Sequence, residues 1–415
     1  MKLFSVSTHI AIRYTRAKKR SGFVSFISTA SMTGIALGVM VLITVLSVMN
    51  GFDSVIKAKF FSMAPPLTIT FPKSHLERWQ TLTPIIKKVV KGGSVSPFVA
   101  GSAMLTRSGS FSGVQVFGLL TNQLDKQLGK KLVAGDLSAL EPGAYTALIG
   151  YGMALHLNLS VGDHFDLFVP QASITPMGAF PRYRRLKVAG IFHANTGFGF
   201  DDGVLFIHMQ DAEKIFTGTS ATYGVHVGMN NIYKAPDDLL ALQKVLPQDF
   251  MLSDWTSAAG AFFKAIAMEK TMMFLVLMLI VLVAVFNLVS SLVMLVNDKQ
   301  SDIAILRTLG ATSGIVFQVF MIQGLIVGCV GTIIGLLLGI CLSWYVTPLA
   351  NWLQHFFNIQ LLSSSVYFVD YLPSQLLWAD VAKVSFIAMS LSLLATLYPA
   401  YVAFKTQPAE ALRYE

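Results

Sequence analysis

Histidine and carboxylate residues, which most often carry catalysis, are scattered through the middle of this 415-residue chain. The histidines of that region are His156, His164, His193, His208 and His226. They form no HExxH pattern, and the chain contains neither a GxSxG nucleophile motif nor a Walker-type phosphate loop. Asp201 and Asp202 lie in the glycine-rich stretch 196–203, which indicates a turn rather than a carboxylate pair. The sequence therefore predicts that this chain is not an enzyme and holds no metal or cofactor of its own.

The stretch Pro170–Pro181, PQASITPMGAFP, is the first candidate binding element. It joins a predicted strand at Phe165–Val169 to another at Leu186–Phe192, and its three prolines and one glycine disfavour both helix and sheet. We therefore expect a projecting loop that offers apolar side chains to a partner. Those side chains are Ile174, Met177 and Phe180. The other interpretation is a disordered or self-packed hairpin loop.

A basic cluster follows at the base of this loop. It consists of Arg182, Arg184, Arg185 and Lys187. Cationic groups beside an apolar tip would steer an acidic partner and fix its orientation. The loop and its base together predict a docking arm.

A second candidate surface lies between two long apolar runs. No charged residue occurs from Thr271 to Asn297. The charged residues that follow are Asp298, Lys299, Asp302 and Arg307, so the chain has returned to water. The segment Asp302–Ala311 predicts a short helix with one apolar side, and Gly310 can end it in a left-handed cap. A short helix between two membrane helices is a place where a soluble partner can push.

Composition indicates a membrane protein, because 54% of the residues are hydrophobic and 13% are charged, against about 25% charged in an ordinary soluble chain. A bilayer-spanning helix needs about 20 apolar residues. The predicted spans are 23–49, 270–297, 315–346 and 384–404. Gly34 and Gly38 in the first span favour close helix packing. So does the series Gly324, Gly328, Gly331, Gly335 and Gly339 in the third.

Residues 50–268 contain no run that could span a membrane, and their patterns predict an α+β domain. The predicted strands are Leu67–Phe71, Val114–Leu119, Phe165–Val169, Leu186–Phe192 and Tyr223–Val227. The predicted helices are Leu76–Val90, Asp211–Phe216, Asp237–Val245 and Asp254–Met268. The expected fold class is thus an α-helical membrane protein with four transmembrane helices and a large α+β periplasmic domain.

Charge placement predicts the orientation. The N-terminal segment is basic and free of acids, which holds it in the cytoplasm, and no Lys or Arg occurs between Arg307 and Lys383. The predicted outer segments are 50–268 and 347–380, and the predicted cytoplasmic ones are 1–22, 298–313 and 405–415. In a double-membrane bacterium the outer segments lie in the periplasm and the spans lie in the inner membrane.

Five motifs carry a resemblance to a known family. One span, a large outer domain and three more spans, with DIAILRTLGA after the second, resemble the FtsX/MacB-type permeases. FVSFISTASMTGIALGVMVLITVLSVMNGF resembles the first span of the LolC/LolE family of lipoprotein-releasing permeases. PQASITPMGAFP and the C-terminal TQPAEALRYE are similar to LolC, whereas DIAILRTLGA and LLSSSVYFVDYLPSQL are similar to LolE. The mixture resembles a LolF-type permease, in which one chain does both jobs as a homodimer.

The resemblance implies a function. Such permeases take triacylated lipoproteins from the inner membrane and pass them to a LolA-like periplasmic carrier. ATP and Mg²⁺ are bound by a LolD-like ATPase dimer. The implied partners also include a second copy of the permease, or a LolE-like paralogue, and the membrane itself, but no nucleic acid.

The resemblance also implies roles for particular residues. The hook comprises Pro170, Ile174, Thr175, Pro176, Met177, Gly178, Phe180 and Pro181, and the pad comprises Arg182, Tyr183, Arg184 and Arg185. The ATPase-coupling residues are Asp302, Ile303, Leu306, Arg307, Leu309 and Gly310. The lipid cavity is lined by Val45, Val48, Met49, Phe52, Tyr367 and Phe368. Arg184 stands where LolC has its pad arginine, but Tyr183 replaces a usual glutamine and the arm is slightly shorter.

Other functions stay open at this point. A MacB-like mechanotransmission exporter and an FtsX-like activator of cell-wall hydrolases share the general architecture, although the arm Pro170–Pro181 argues against both. A periplasmic sensor without transport is a further alternative. Co-purification of an ATPase would distinguish a transporter from such a sensor.

Overall fold

The computed structural model describes residues 22–107, 109–175, 178–217, 221–358, 369 and 371–406, with the backbone alone at 22–28, 78, 124–127, 171–175, 178–181 and 258. The chain divides into two compact units. The helical unit contains the described residues of 22–54, 265–358 and 371–406. The sheet unit contains those of 55–264, and residue 369.

The helices are named in chain order. They are α1 (Gly22–Phe61), α2 (Trp79–Val89), α3 (Thr121–Leu128), α4 (Tyr151–His156), α5 (Phe200–Gly203), α6 (Met209–Ile215), α7 (Ala235–Gln243), α8 (Trp255–Asp298), α9 (Gln300–Thr308), α10 (Ser313–Phe357) and α11 (Trp378–Lys405). The described residues contain 4 helices long and apolar enough to cross a membrane, which are α1, α8, α10 and α11. Each contains one of the predicted spans and runs past it. The limits of the membrane-embedded part of each helix stay a prediction.

Glycines set the packing of α10 in the helical unit. A Cβ added at Gly335 would lie 2.6 Å from the Ala36 carbonyl oxygen of α1, and one at Gly331 would lie 3.0 Å from the Met32 oxygen. On another side of α10, a Cβ at Gly328 would lie 2.5 Å from the Cβ of Ser392 in α11. Such distances are shorter than van der Waals contact. The predicted close approach through the glycine series is therefore confirmed.

The prediction that a loop occupies 347–380 is wrong at both ends. α10 continues through Pro348 to Phe357, and α11 already begins at Trp378. A proline inside a helix has no backbone N–H, so the hydrogen bond from Pro348 to the Trp344 carbonyl is missing. The other backbone hydrogen bonds of α10 maintain the helix at this turn. The sequence pattern cannot separate this case from a helix end.

A segment without regular secondary structure, 371–377, leads into α11 and is tied to two other helices. Thr347 Oγ1 donates to the Leu372 carbonyl at 2.7 Å, and the Gln375 amide donates to the Ser47 carbonyl at 2.8 Å. Gly51 lies so close to Pro373 that an added Cβ would be 2.6 Å from its carbonyl oxygen. This segment therefore packs across α1 and α10.

The sheet unit is built on a 10-stranded mixed sheet. Its strands are β1 (Leu67–Phe71), β2 (Ser94–Arg107), β3 (Ser110–Leu119), β4 (Leu132–Gly135), β5 (Thr146–Gly150), β6 (His164–Thr175), β7 (Gly178–Phe192), β8 (Val204–His208), β9 (Thr222–Gly228) and β10 (Met251–Asp254). They are ordered β10-β1-β9-β2-β3-β8-β5-β7-β4, and β6 pairs with β2 and β7. The pairs β3–β8 and β5–β7 are parallel, whereas the other pairs are antiparallel.

At β8 the sheet is buried on both faces. In β8, Leu205 and Ile207 belong to one buried cluster, whereas Val204 and Phe206 belong to another. Successive side chains of a strand point to opposite faces, so the two clusters lie on opposite sides of the sheet. The five predicted strands are confirmed as parts of β1, β3, β6, β7 and β9. The strands β2, β4, β5, β8 and β10 went unpredicted, and in β8 every residue is buried, so no polar alternation marks it.

Replacing Gly335 by leucine should destabilise the helical unit, because the Ala36 carbonyl occupies the space that the new side chain needs. Overpacking of this kind costs about 1–3 kcal/mol. The matched control is Gly314→Leu in the same helix, where the nearest atom to an added Cβ is Thr312 Oγ1 at 3.8 Å. The unfolding midpoint of the detergent-solubilised protein should fall for the first variant and not for the second. Equal midpoints would contradict the close approach of α10 to α1.

Candidate functional site

The predicted docking arm is a two-stranded ribbon rather than a loop. The backbone of β6 pairs with that of β7 as far as Thr175 and Gly178, with a register shift between Val169 and Ala172. The expectation that prolines keep this stretch out of a sheet is wrong. A ribbon of two strands has an outer edge on each strand, where a proline nitrogen need donate to nothing. The structure thus lengthens both predicted strands into the arm.

The tip residues of the hook cannot be placed further. Pro176 and Met177 lie outside the described residues. The backbone alone is described for Ile174, Thr175, Gly178, Phe180 and Pro181, and Pro170 is exposed at the start of the ribbon. The apolar contact surface of the tip therefore stays a prediction.

The base of the arm alternates between two faces of the sheet. Arg182 and Arg184 lie on the same face of the sheet as the buried residue Leu186. Tyr183 and Arg185 point to the other face. Arg182 Nη1 donates to the Thr217 carbonyl at 2.7 Å. Tyr183 is 63% exposed and carries no charge. The four pad residues are contiguous in sequence but do not form one cationic patch.

Arg185 is neutralised by a carboxylate of the neighbouring strand. Its Nε lies 2.9 Å from Asp166 Oδ1 and its Nη2 lies 3.1 Å from Asp166 Oδ2, across a directly paired position of β6 and β7. These hydrogen bonds from Arg185 hold the pKa of the Asp166 carboxyl below its usual value. Arg185 is therefore held in place and contributes little net charge to an approaching partner.

Arg184 is positioned by Tyr145, which the sequence reasoning missed. Its Nη2 donates to the Tyr145 hydroxyl at 2.6 Å, and its guanidinium carbon lies 4.0 Å from the centre of that ring. Tyr145 has a φ of 52°, a left-handed conformation that is costly for a bulky residue. The Pro142–Gly143 dipeptide signals a turn there. No local signal connects that turn with Arg184.

Asp211 holds the strained turn. It is 0% exposed, and its two carboxylate oxygens accept from the Gly143 amide at 2.8 Å and the Tyr145 amide at 3.1 Å. It also lies in the first turn of α6, where the helix dipole favours a negative charge. A buried carboxylate with these partners fixes Tyr145, and Tyr145 in turn fixes Arg184.

The short helix predicted between the second and third spans is present as α9. It ends as expected, because Gly310 has a φ of 100°. The Ala311 amide donates to the Leu306 carbonyl at 3.0 Å and the Gly310 amide to the Arg307 carbonyl at 3.1 Å, the hydrogen bonds of a Schellman cap. Lys299 Nζ lies 2.8 Å from Asp302 Oδ2 across the first turn.

The faces of α9 differ from the prediction in one respect. Ile303 was predicted to contact a partner, but it is only 1% exposed and packs in the core of the helical unit. The exposed apolar residues are Ile305 at 49% and Leu309 at 79%. These two are four residues apart and therefore share one side of the helix. Arg307 is engaged within the unit, since its Nη1 donates to the Thr406 carbonyl.

A half-buried apolar stripe runs along α1. Val45, Val48, Met49 and Phe52 are all partly exposed, and their spacing of three or four residues puts them on one side. The packed side of the helix carries Leu42 and Leu46, which are buried. Tyr367 and Phe368, predicted for the same cavity, lie outside the described residues.

A polar network joins three long helices close to this stripe. Asn50 of α1 donates from Nδ2 to Asp380 Oδ2 of α11 at 2.8 Å. Lys270 of α8 donates to Asn50 Oδ1 and lies 3.5 Å from Asp380 Oδ2. The Asp380 side chain is only 15% exposed. The sequence analysis did not single out Lys270 or Asp380, and it missed their contact.

Asp201 is a structural residue of its turn. Asp201 accepts from the Ala194 amide at 2.6 Å and the Asn195 amide at 3.0 Å, which confirms its interpretation as a turn residue. Within the described part of the chain, no group of three or more His, Cys, Asp or Glu side chains is arranged to hold a metal ion. The arrangement as a whole offers surfaces for docking: a ribbon with a positioned base, an exposed helix side and an apolar stripe.

Comparison with known proteins agrees with this architecture. The MacB-like periplasmic core domain matches residues 28–244, and the FtsX-like permease C-terminal domain matches residues 274–408. The lipoprotein-releasing system transmembrane protein LolC of Neisseria meningitidis serogroup B is 39% identical over 416 residues, covering 100% of both chains.

Two further relatives match over nearly the full length. LolC of Xylella fastidiosa strain 9a5c is 39% identical over 413 residues, covering 99% of each chain. LolE of Haemophilus influenzae is 33% identical over 411 residues, covering 97% of this chain and 98% of the relative. On these matches, the chain belongs to the LolC/LolE family of lipoprotein-releasing system transmembrane proteins.

Proposed function

We propose that this chain is the permease subunit of an ATP-driven lipoprotein-releasing system. It extracts outer-membrane-destined lipoproteins from the bacterial inner membrane and passes them to a LolA-like periplasmic carrier. The full-length likeness to LolC and LolE relatives is the observation that carries the proposal. In this function the sheet unit lies in the periplasm, and both termini and α9 lie in the cytoplasm.

Extraction needs an external source of energy. Moving an acyl chain out of a bilayer costs about 0.8 kcal/mol per CH₂ group, so three chains are costly to remove. A separate LolD-like ATPase dimer, which binds ATP and Mg²⁺, would supply this energy. The half-buried stripe of α1, with Tyr367 and Phe368, would shelter the acyl chains of triacylated lipoproteins.

The ATPase would dock on α9. Ile305 and Leu309 present an apolar side to the solvent, and an exposed pair of this kind suits a groove in a soluble partner. Asp302 and Leu306 border this side, and the cap at Gly310 fixes where the helix ends. The buried side of α9, at Ile303, would carry a push from the ATPase into the core of the helical unit.

Replacing Leu309 by aspartate should uncouple ATP hydrolysis from lipoprotein release, because a charge in an apolar contact loses its hydration. The matched control is Gln300→Asp, which adds the same charge at an exposed site of the same helix. We expect about a tenfold or greater loss of ATPase co-purification with the first variant, with normal membrane insertion of both. Normal release by the Leu309 variant would refute docking on α9.

The carrier would bind the arm and its base. A ribbon restricted by prolines and paired strands loses little conformational entropy on binding. Arg184, held by Tyr145, would contribute a cation of fixed position beside the arm, and fixed charges favour a defined orientation of the partner. The LolA-like carrier is thus the partner proposed for hook and pad.

Deleting Ile174–Phe180 should abolish carrier binding and, in proteoliposomes with ATPase, lipoprotein and carrier, abolish ATP-dependent release. Assembly with the ATPase should be unaffected. Arg184→Glu should weaken carrier binding, because the new carboxylate would repel an acidic carrier surface. The effect should be largest at low salt, where this repulsion is least screened. Lys88→Glu on α2, exposed in the same unit, makes the same change in net charge and should have no effect. If the deletion variant still releases lipoprotein to the carrier, the arm is not the docking site of the carrier. If the unmodified protein releases no lipoprotein in this assay, the proposed function is wrong.

The permease would work as two copies of this one chain. LolC-like and LolE-like motifs occur together in its sequence, and LolC and LolE relatives both match it along nearly the whole length. A LolE-like paralogue in place of the second copy is the alternative. Tagged and untagged copies should co-purify with the ATPase from cells that hold no paralogue. Isolation of complexes with one copy only, or an absolute need for a different permease, would exclude the homodimer.

A further inference from the structure

We propose that one exposed sheet face of the arm-bearing unit extends the docking surface for the periplasmic carrier beyond hook and pad. This face is formed by Met104, Phe111, Phe168 and the pad residue Tyr183. We call these residues the apolar face. The inference rests on the proposed function, because that function supplies the carrier as partner. Met104, Phe111 and Phe168 belong to neither the hook nor the pad predicted from the sequence.

Strand register brings the four side chains together. Met104 of β2 lies directly opposite Phe168 of β6, and Phe168 lies opposite Tyr183 of β7. Phe111 of β3 lies opposite Thr106, two residues along β2 from Met104 and on the same face. Neighbouring strands are about 4.8 Å apart, and both opposite and diagonal side chains on one face come within reach of each other. The apolar face is therefore contiguous across four strands.

The apolar face is open to solvent although its strands are part of the core. Met104 is 43% exposed, and Phe111 and Tyr183 are each 63% exposed. On the opposite face the alternating residues Leu105 and Leu167 are 0% exposed. The Phe168 and Tyr183 rings stack with centroids 5.6 Å apart and planes inclined by 30°. Two rings are thus already ordered before any partner arrives.

The surroundings of the apolar face are polar. The paired Asp166 and Arg185 stand beside Phe168 and Tyr183 on the same face. Ser102 donates to Gln115 Oε1 at 3.0 Å on the far side of Met104. An apolar centre with a satisfied polar rim is the usual anatomy of a protein–protein interface. The Arg185 charge is compensated, and Lys187, two residues further along β7 on the same face, adds a positive charge at the rim. The face therefore suits a partner surface with an apolar centre.

Continuity with the arm identifies the occupant. Phe168 and Tyr183 stand on β6 and β7, the two strands that continue to the arm at Thr175 and Gly178. An extended strand from Phe168 to Thr175 is about 23 Å long at about 3.3 Å per residue. A specific interface buries about 800 Å² on each partner, which is more than the end of a ribbon offers. A carrier held by the arm would therefore also cover the apolar face.

The test measures the affinity of the purified carrier for the full-length, detergent-solubilised protein. The double variant Met104→Ser with Phe111→Ser leaves hook and pad intact and should weaken binding about tenfold or more, as loss of aromatic anchors does. The control is Val133→Ser with Leu155→Ser, which removes side chains that are 59% and 66% exposed elsewhere in the same unit. The control should bind like the unmodified protein.

A photo-crosslinker in place of Phe111 should capture the carrier, whereas one in place of Leu155 should not. This second measurement holds even if the double variant folds poorly. If deletion of the hook abolishes carrier binding while the double variant binds normally and the crosslinker captures nothing, the inference is overturned and the proposed function stands. If the unmodified protein does not bind the carrier, both fall. Capture of a second copy of this chain at position 111 would also overturn the inference.

Discussion

The membrane-spanning part of this protein depends on how closely its helices approach one another. Where Gly331 and Gly335 face α1, and Gly328 faces α11, the room for a single added carbon is already occupied. Inside a bilayer lipid tails are as apolar as leucine, so contact at this range, rather than burial from water, drives helix association. The placement of α1, and with it the half-buried stripe at Val45–Phe52, follows from that contact.

In the sheet unit the corresponding constraint is that the arginines at the arm's base have partners before any ligand binds. Arg182 donates to a backbone carbonyl, Arg184 lies on Tyr145, and Arg185 pairs with Asp166. Each guanidinium has therefore lost most of its rotational freedom during folding rather than during binding. The cost appears elsewhere, in the left-handed Tyr145 that the buried Asp211 sustains. The strained conformation of Tyr145 thus keeps Arg184 in a fixed position at the base of the arm.

Much of the architecture was predictable because it depends on local chemistry. Charge-free runs identified the four spanning helices, and Gly310 alone marked the cap of α9. What escaped prediction depends on tertiary context. β8 shows no alternation of polar and apolar residues, because both of its faces are buried. α10 continues past Pro348 because the hydrogen bonds of the neighbouring residues maintain the helix. The partners of the candidate site were beyond reach for the same reason, since Tyr145 meets Arg184 only through the parallel pairing of β5 with β7.

The network of Asn50, Lys270 and Asp380 has a consequence for water. Its carboxylate and ammonium groups compensate each other among three helices, and separating them dry would leave buried charges whose effective penalty is several kcal/mol each. Any movement that parts α8 from α11 at this level must therefore admit water as it proceeds. Separation of these helices therefore requires hydration of the network. The rate of separation depends on how readily water reaches Asp380 as well as on the force applied to the helices.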